Sequence, residues 1–508
     1  MKAVPRFRSL LRPAAVSALV VGGLLVARYF WPVPAATRGA WIADLELLEA
    51  HTAAAYANLG DRLASRNLAP RDLDTRTRAA LGEARSLGAA RAALIAFVEA
   101  FDDHHFVATA PYSAPRRWLR RLLGKDRHRE AGPISWSLSG GEACARFGAR
   151  DRRFGRVAGE ALPGYTALAG DPASHPFPAG LLARPGQPPL AVLRIGLFSQ
   201  QGYPEICAAE WERQQLASRP ETSCDEACQD DFWDGLEERL LDRFAAELSE
   251  LAAGGADELL VDLTDNGGGS GIVGRMMRMV TARPIPERAS GFIRHPHSVK
   301  RLSSIAADYA TEAARPELPA RQRELYAKVQ QRMEAAAHDA AVPCDLTGLW
   351  QLTSASELPC ANVGRAEPWL DAAEQAELAA FEATEAGTAG AAKPERPAAW
   401  TGRLLVLTNR RTASASEDFA ASLQDAGAAR IVGETTMGVG CGYTDGGVTL
   451  ELPATGLTVR APDCIRYRKD GRNEAEGVLP DLPIPWSDGD SARGRAEQTI
   501  AAIASAPR

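Results

Sequence analysis

A serine stands at the junction between a predicted strand and a predicted helix. The strand spans Arg403–Thr408, the helix spans Ala415–Asp425, and Ser414 precedes the first helical residue. Backbone N–H groups in the first turn of a helix have no partner, so they can stabilise an alkoxide or an oxyanion beside that serine. The structural alternative is a capping box, because Glu417 follows three residues later and Ser414 would then only satisfy the first turn. On this segment alone, capping is the simpler interpretation.

A glycine run follows a second predicted strand. The apolar residues Leu259–Leu263 are typical of a buried strand, and they lead into Asn266, Gly267, Gly268 and Gly269. Glycines allow backbone N–H groups to turn toward a ligand, and they permit close approach of another chain segment. A tight turn without function is the alternative interpretation of this run alone.

Taken together, these segments resemble the carboxy-terminal processing (tail-specific) peptidase family and its relatives, the tricorn protease core and interphotoreceptor retinoid-binding protein. The matching motifs occur in the family's order, at residues 261–269, 412–420, 431–438 and 470–481. The resemblance implies a crotonase- or ClpP-like α/β core and a serine peptidase that acts on a peptide or protein substrate. It also implies that Ser414 is the nucleophile and that the N–H groups of Gly268 and Ala415 form the oxyanion hole.

The best-known branch of this family activates its serine with a lysine, which follows the glycine of the E-x-T-x-G segment. Val439 stands at that place in this chain, and the lysines lie elsewhere, at Lys2, Lys125, Lys300, Lys328, Lys393 and Lys469. A neutral serine hydroxyl is a poor nucleophile without a base. A Ser–Lys dyad is therefore not expected.

The tricorn-like branch instead uses an upstream histidine and a glutamate near the C-terminal motif. His105 occupies the histidine place of a D-x-H segment, and Glu474 stands three residues before Gly477, where that branch has its acidic residue. The resemblance thus implies that Ser414 attacks, that His105 takes and returns the proton, and that Glu474 orients the ring. His104 is the alternative base, because a match to so short a segment can slip by one residue.

The adjacent residues Asp102, Asp103, His104 and His105 are all of metal-ligating types. Neighbouring side chains rarely converge on one ion, and the sequence has neither an H-x-x-x-H pair nor a second matching cluster. We therefore expect no metal site, and the resemblance implies no cofactor. The second functional hypothesis is a catalytically inactive protein that binds a ligand or a peptide on the same scaffold, as the retinoid-binding relatives do.

Strands alternate with helices on both sides of residues 285–400, which predicts a layered α/β core interrupted by an insertion. Further predicted elements are a strand over 190–198, helices over 232–253, 271–281 and 321–340, and a strand over 429–433. The predicted regions are a leader (1–36), a helical N-terminal region that caps the core and carries His105 (37–132), an irregular β-rich segment (133–189), the first part of the core (190–284), a helical insertion with a flexible linker (285–400) and the second part of the core (401–508).

The N-terminus has the pattern of an export signal. Basic residues up to Arg12 precede an apolar run, Ala14–Ala27, and an aromatic step follows it. The run is short for a free-standing span, so a cleaved signal peptide and an uncleaved anchor through residues 13–32 both stay open. Either way, the basic residues would keep their own end in the cytoplasm and place the rest of the chain outside it.

The cysteines agree with export, because all eight lie beyond the leader and their number is even. Cys441 and Cys464 flank a predicted hairpin, so a cross-strand disulfide between them is plausible. Cys224 and Cys228 have poor spacing for zinc and are interpreted as disulfide partners or inert thiols. The net charge of −6 and the absence of a basic block beyond the N-terminus argue against a nucleic-acid partner.

Overall fold

The computed structural model describes residues 33–111, 132–149, 158–170, 175–217, 223–269, 271–385 and 396–506. Residues 1–32 of the predicted leader, including all of the predicted membrane attachment at 13–32, therefore lie outside the described residues. None of the helices within the described ranges is long and apolar enough to span a bilayer.

Four helices and a short strand form the N-terminal region. They are α1 (Ala35–Ala55), α2 (Leu59–Ser65), α3 (Pro70–Glu83), α4 (Leu87–Glu99) and β1 (Val107–Thr109). Their apolar faces share one core with Leu452 and Leu457 of a hairpin near the end of the chain. That hairpin consists of β12 (Val448–Glu451) and β13 (Thr458–Ala461), and β1 pairs antiparallel with β13. The N-terminal region is thus joined to the second part of the core by a sheet and by a common hydrophobic core.

A seven-stranded mixed sheet forms the centre of the molecule. In spatial order its strands are β15 (Leu482–Pro483), β11 (Arg430–Gly433), β10 (Arg403–Thr408), β7 (Glu258–Asp262), β5 (Gln187–Arg194), β4 (Ala179–Arg184) and β3 (Tyr165–Ala167). The first five run parallel, and the last two pair antiparallel at one edge. Residues of the central strand, such as Leu259, Leu260 and Val261, are fully buried, as expected for a parallel sheet covered on both faces.

Helices cover both faces of this sheet. One face packs against α7 (Glu226–Ala253), α8 (Ile272–Met279) and α12 (Ala415–Asp425), and the other packs against α13 (Ala492–Ser505). The predicted α/β class is therefore confirmed. Strand β10 and helix α12, which lie on either side of Ser414, have the predicted bounds, whereas α7 begins at Glu226 rather than near residue 232.

The region from 133 to 189 differs from the predicted irregular β-rich segment. Strands β3 and β4 belong to the central sheet, and β5 crosses the expected boundary at residue 189. The region also contains a capped helix, α5 (Gly140–Arg146), and the next helix along the chain is α6 (Pro204–Ala217). The short strands β2 (Ile134–Ser135) and β6 (Ser223–Cys224), which lie before α5 and after α6, pair with each other. Strands β4 and β5 form a hairpin, and β5 pairs with β7, which is distant in sequence and joins the region to the central sheet.

The insertion contains the predicted helices, but it is not purely helical. Helices α9 (Pro296–Ala313), α10 (Ala320–Ala340) and α11 (Ala372–Glu385) share a core of their own. Strands β8 (Ser290–Ile293) and β9 (Val363–Ala366) pair with each other, and β8 also pairs with β14 (Cys464–Arg466) of the core. The insertion is thereby attached to the core beside the candidate site. Residues 386–395 of the predicted linker lie outside the described residues.

All eight cysteines form disulfides. The pairs are Cys144–Cys207, Cys224–Cys228, Cys344–Cys360 and Cys441–Cys464. The predicted bridge across the hairpin is confirmed, and the alternative for Cys224 and Cys228 is decided in favour of a disulfide.

Candidate active site

Ser414 has a strained backbone at the start of α12. Its φ is 56° and its ψ is −117°, whereas the residue before a helix normally lies in the β region. A non-glycine residue in such a conformation costs free energy, and strain of this kind is concentrated at functional sites. A strained serine between a strand and a helix is typical of a serine nucleophile.

Gly268 lies directly against Ser414. Its φ is +100°, and an added β-carbon would lie 2.8 Å from Ser414 Cβ and 2.8 Å from the nitrogen of Ala415. Only glycine fits there, so the structure brings the glycine run and the serine together. The Ala413 N–H also donates to the carbonyl oxygen of Asn266 at 2.9 Å, which ties the two turns to each other.

The two predicted oxyanion donors differ in their present partners. The N–H of Gly268 donates to Oδ1 of Asn266 at 2.9 Å. The N–H of Ala415 belongs to the first helical turn, where no intrahelical acceptor exists. Ala415 therefore offers the more accessible donor, and Gly268 shares its donor with a side chain of the same turn.

Glu417 is fully buried and joins Ser414 to the loop of residues 436–440. One carboxylate oxygen accepts the Ser414 N–H at 2.8 Å, as a capping box requires. The carboxylate also accepts the N–H groups of Gly438, Val439 and Gly440 at 2.7–3.1 Å. A fifth bond comes from Thr436 Oγ1 at 2.6 Å. Burial raises the pKa of Glu417, and the charge of Glu474 raises it further.

The same loop fixes the imidazole of His105. Nδ1 of His105 lies 3.2 Å from the carbonyl oxygen of Val439. Because a carbonyl oxygen can only accept, a neutral imidazole that makes this hydrogen bond carries its proton on Nδ1 and has Nε2 unprotonated. Val439, which occupies the lysine place of the tail-specific branch, therefore supports the tautomer that a histidine base needs.

Two neighbours confine the ring of His105. The Tyr443 hydroxyl donates to the His105 carbonyl oxygen, and the two rings lie 5.5 Å apart. A β-carbon on Gly442 would come within 3.0 Å of Cε1 of the imidazole, so the loop passes close to the ring. Burial lowers the pKa of His105 and Arg466 adds to this shift, whereas Asp103 and hydrogen bonds to the backbone of Val439 and Cys441 oppose it. The ring is therefore held neutral over a wider pH range than an exposed histidine.

Glu474 is fully buried and is paired with arginines. Its Oε1 accepts Nε of Arg466 at 2.9 Å, and its Oε2 lies 2.7 Å from Nη1 of Arg288. Burial alone would raise the pKa of Glu474, but Arg466 and Arg288 outweigh that effect and lower it. Arg466 also donates to the carbonyl oxygen of Ser414 at 3.1 Å. The contacts of Glu474 thus lead to the backbone of Ser414, whereas the ring-orienting contact expected from the sequence is made by Val439.

His104, the alternative base, is exposed to solvent, whereas His105 is half-buried. Within the described ranges, no three histidine, cysteine, aspartate or glutamate side chains are grouped closely enough to hold a metal ion.

Sequence reasoning missed three residues of this site. Arg466 and Arg288 carry no motif and become recognisable only when β14 and β8 are paired. Glu417 is evident in the sequence, but its spacing from Ser414 predicts only a helix cap. Its position inside the family-like segment was the one signal that could have pointed to a larger role.

Residues 305–484 match the model of peptidase family S41. Among solved structures, mature CPAF complexed with lactacystin is similar with a TM-score of 0.53 at 15% identity, covering 92% of this chain and 98% of that chain. Mature CPAF alone gives 0.52 at 14% identity, over 92% and 96% of the two chains. The photosystem II D1 C-terminal processing protease gives 0.31 at 14% identity, over 92% and 97%. The family match confirms the resemblance to carboxy-terminal processing peptidases and supports a serine protease, and the two CPAF structures share the fold.

Proposed function

We propose that this chain, which is related to peptidase family S41 through residues 305–484, is a serine peptidase that cleaves peptide bonds outside the cytoplasm. One observation carries the proposal. The loop of residues 438–440 is bonded through Glu417 to the strained Ser414, and through the Val439 carbonyl oxygen to the imidazole of His105. A nucleophile and a base of the right tautomer are thus attached to one short, buried loop.

In the proposed reaction, Oγ of Ser414 attacks the carbonyl carbon of the scissile bond, and its proton passes to Nε2 of His105. The N–H groups of Ala415 and Gly268 stabilise the negative charge that develops on the carbonyl oxygen. Because Asn266 already accepts the Gly268 N–H, this donor acts in full only when the bond to Asn266 is shared or lengthened.

The tetrahedral intermediate then collapses. His105 gives its proton to the leaving amine, the C–N bond breaks, and the acyl group stays on Ser414 as an ester. A water molecule then gives a proton to His105 and attacks this ester, the bond between the acyl carbon and Oγ breaks, and His105 returns the proton to Oγ of Ser414 as the acid product leaves. Glu474 acts indirectly, because it fixes Arg466, which holds the carbonyl oxygen of Ser414.

Disulfide chemistry supports the location outside the cytoplasm. Every cysteine of the chain is paired, and paired cysteines persist in oxidising compartments rather than in a reducing cytosol. The basic and apolar pattern of residues 1–32 supports the same location.

The proposal is tested by labelling the purified full chain with a fluorophosphonate and mapping the modified residue by mass spectrometry. We expect modification at Ser414 and its loss in Ser414→Ala. In His105→Ala the labelling rate should fall by about 10²–10⁴-fold, because the general base is lost. Cleavage of a peptide mixture with both termini blocked would identify the activity as endopeptidase.

His104→Ala is the matched control, since it removes the adjacent histidine and should leave the labelling rate within about twofold of wild type. The similarity to CPAF makes lactacystin a second probe, because one CPAF structure contains it. If folded wild type is not modified at Ser414, the proposal is wrong, and the binding-protein alternative becomes the better account.

A further inference from the structure

A buried chain of hydrogen bonds links the segment of His105 to the segment of Glu474. One oxygen of Asp103 accepts the His105 N–H at 2.9 Å, and the other accepts Nδ2 of Asn58 at 2.9 Å. Oδ1 of Asn58 in turn accepts Nδ2 of Asn473 at 2.9 Å. This series of hydrogen bonds thus begins at the backbone of the proposed base, passes through Asn58 of the N-terminal region, and ends one residue before Glu474.

The side chains of this hydrogen-bond network are buried. Asn58, Asp103 and Asn473 are 1%, 5% and 6% exposed. Because a carboxylate can only accept, Asp103 determines the orientation of the Asn58 amide, and that orientation determines the amide of Asn473. Asn473 also donates to Asp61 at 2.6 Å and accepts the Ala475 N–H at 2.9 Å. A satisfied buried network of this kind favours one geometry over all others.

Arg62, one helical turn after Asn58, connects the same regions a second time. Its Nη2 donates to the carbonyl oxygens of Gly438 at 2.6 Å and Ala475 at 3.0 Å. Gly438 precedes Val439, the residue that contacts the imidazole. Asn58 and Arg62 are therefore hydrogen-bonded to three segments of the candidate site: the segment of His105, the loop that contains Gly438, and the segment of Glu474.

We propose that Asn58 is a positioning residue of the active site, which holds the His105 segment and the Glu474 segment in a fixed relation. It acts through Asp103 and Asn473, and its direct partners are neither Ser414 nor the imidazole. The inference rests on the proposed function and extends it, because it assigns a catalytic contribution to the N-terminal region beyond the supply of His105.

The test exchanges the donor and the acceptor of one hydrogen bond. In Asn58→Asp two carboxylates face each other, and in Asp103→Asn two amide NH₂ groups do. The double variant Asn58→Asp/Asp103→Asn restores the bond in the reverse direction, keeps the bond to Asn473 and keeps an oxygen for the His105 N–H. The Tyr56 hydroxyl, which donates to the same oxygen of Asp103, can turn and accept from the new amide. Fluorophosphonate labelling of the full chain is measured over a range of probe concentrations, which separates the maximal rate of inactivation from the half-saturating concentration.

We expect each single variant to lower the maximal rate by about 10²-fold, with the half-saturating concentration unchanged, because a displacement of about 1 Å in a catalytic group has an effect of this size. The double variant should recover to within about tenfold of wild type. A role in stability alone predicts lower unfolding temperatures with unchanged rates. Single variants that keep the wild-type rate, or a double variant no faster than the singles, would overturn the inference.

Asn362→Ala is the matched control, since Asn362 is also buried and bonds across regions, to the carbonyl oxygens of Ala53 and Tyr56. It should lower the unfolding temperature and leave the maximal rate unchanged. If Asn58→Asp does not fold, Asn58→Ser, whose side chain is too short for both bonds, tests for the loss of rate at the same position. Absence of wild-type labelling at Ser414 would overturn the proposed function itself, whereas labelled wild type with unaffected Asn58 variants would overturn only this inference.

Discussion

At the level of single residues, Val439 stands where the tail-specific branch has its lysine, and its backbone contacts His105. A lysine at this place would bring its side chain to the serine, whereas Val439 offers its backbone carbonyl oxygen to a histidine from the N-terminal region. The carboxylate of Glu417 accepts three backbone N–H groups of the loop that carries Val439, and it also accepts the N–H of Ser414.

The lowered pKa of His105 predicts how labelling depends on pH. Since burial lowers this pKa, the proposed base stays neutral, and therefore competent, at pH values where an exposed histidine would be protonated. The rate of Ser414 labelling should therefore fall as the pH is lowered, with a midpoint below about 6.5, the ordinary pKa of histidine. Stopped labelling reactions between pH 4 and 9 provide the profile, with the fluorescence of the folded protein followed in parallel. A midpoint above neutrality would contradict a buried histidine base.

The buried contacts of Glu417 predict that its replacement lowers both stability and labelling. In Glu417→Gln, one carboxylate oxygen becomes an NH₂ group that faces backbone N–H donors, which leaves several buried donors unsatisfied. Each costs about 1–3 kcal/mol, so the free energy of unfolding should fall by at least that amount, and labelling should slow. Glu497→Gln is the control, because Glu497 forms an exposed pair with Arg493 and its loss should change stability by less than about 0.5 kcal/mol. Equal unfolding curves for the two variants would contradict the assigned role.

At the scale of elements, the site depends on strand β14 and on the loop before the β12–β13 hairpin. The disulfide Cys441–Cys464 joins them: Cys441 lies two residues after Val439, and Cys464 lies two residues before Arg466. This single bridge therefore connects the segment that contacts His105 to the segment that contacts Ser414 and Glu474.

Replacing this pair by Cys441→Ser/Cys464→Ser should slow Ser414 labelling and lower the unfolding free energy by about 2–5 kcal/mol, as for other native disulfides. The matched control is Cys344→Ser/Cys360→Ser, which removes a bridge from the insertion. The control should also lose stability, but its labelling rate at a temperature where both variants are folded should equal that of wild type. If the hairpin variant kept the wild-type labelling rate and the control variant lost it, the hairpin disulfide would have no role in positioning the site.

Sequence reasoning succeeded where the local pattern and the motif agreed. Strand β10 and helix α12 were predicted with their observed bounds, because an apolar run, a turn and an amphipathic stretch follow one another without interruption. It failed for β8 and β9, which are short and pair with partners far along the chain, and for β3 and β4, which belong to the central sheet through β5. The same limit explains the site: Ser414 and Gly268 lie in motifs, whereas Arg288 and Arg466 acquire their role only through the pairing of β8 with β14.

At the scale of the whole molecule, the N-terminal region is part of the same folded unit as the core. Phe101 is fully buried, contacts the ring of Tyr56 edge-on at 5.3 Å, and belongs to the cluster that includes Leu457 of the hairpin. Tyr56 in turn donates to Asp103 at 2.9 Å. Packing in this cluster therefore supports the segment that carries His105.

Phe101→Ala should lower the free energy of unfolding by about 3–5 kcal/mol, because it leaves a cavity in this shared core. Urea unfolding followed by tryptophan fluorescence would provide the value, with the labelling rate measured in parallel. Leu87→Ala is the control, since Leu87 is 42% exposed and its loss should change stability by less than about 0.5 kcal/mol. A Phe101 variant as stable as the control would contradict the common core.

The bonds from Asn58 to Asn473 and from Arg62 to Gly438 join residues 415 and 376 positions apart. Contacts of such separation form late, since the loop between them must close before the contact is gained. During synthesis the residues around Asn58 and His105 emerge long before the segment of Glu474 exists. Under the proposed function, a growing chain would therefore have no assembled active site until the segment of Glu474 has been made.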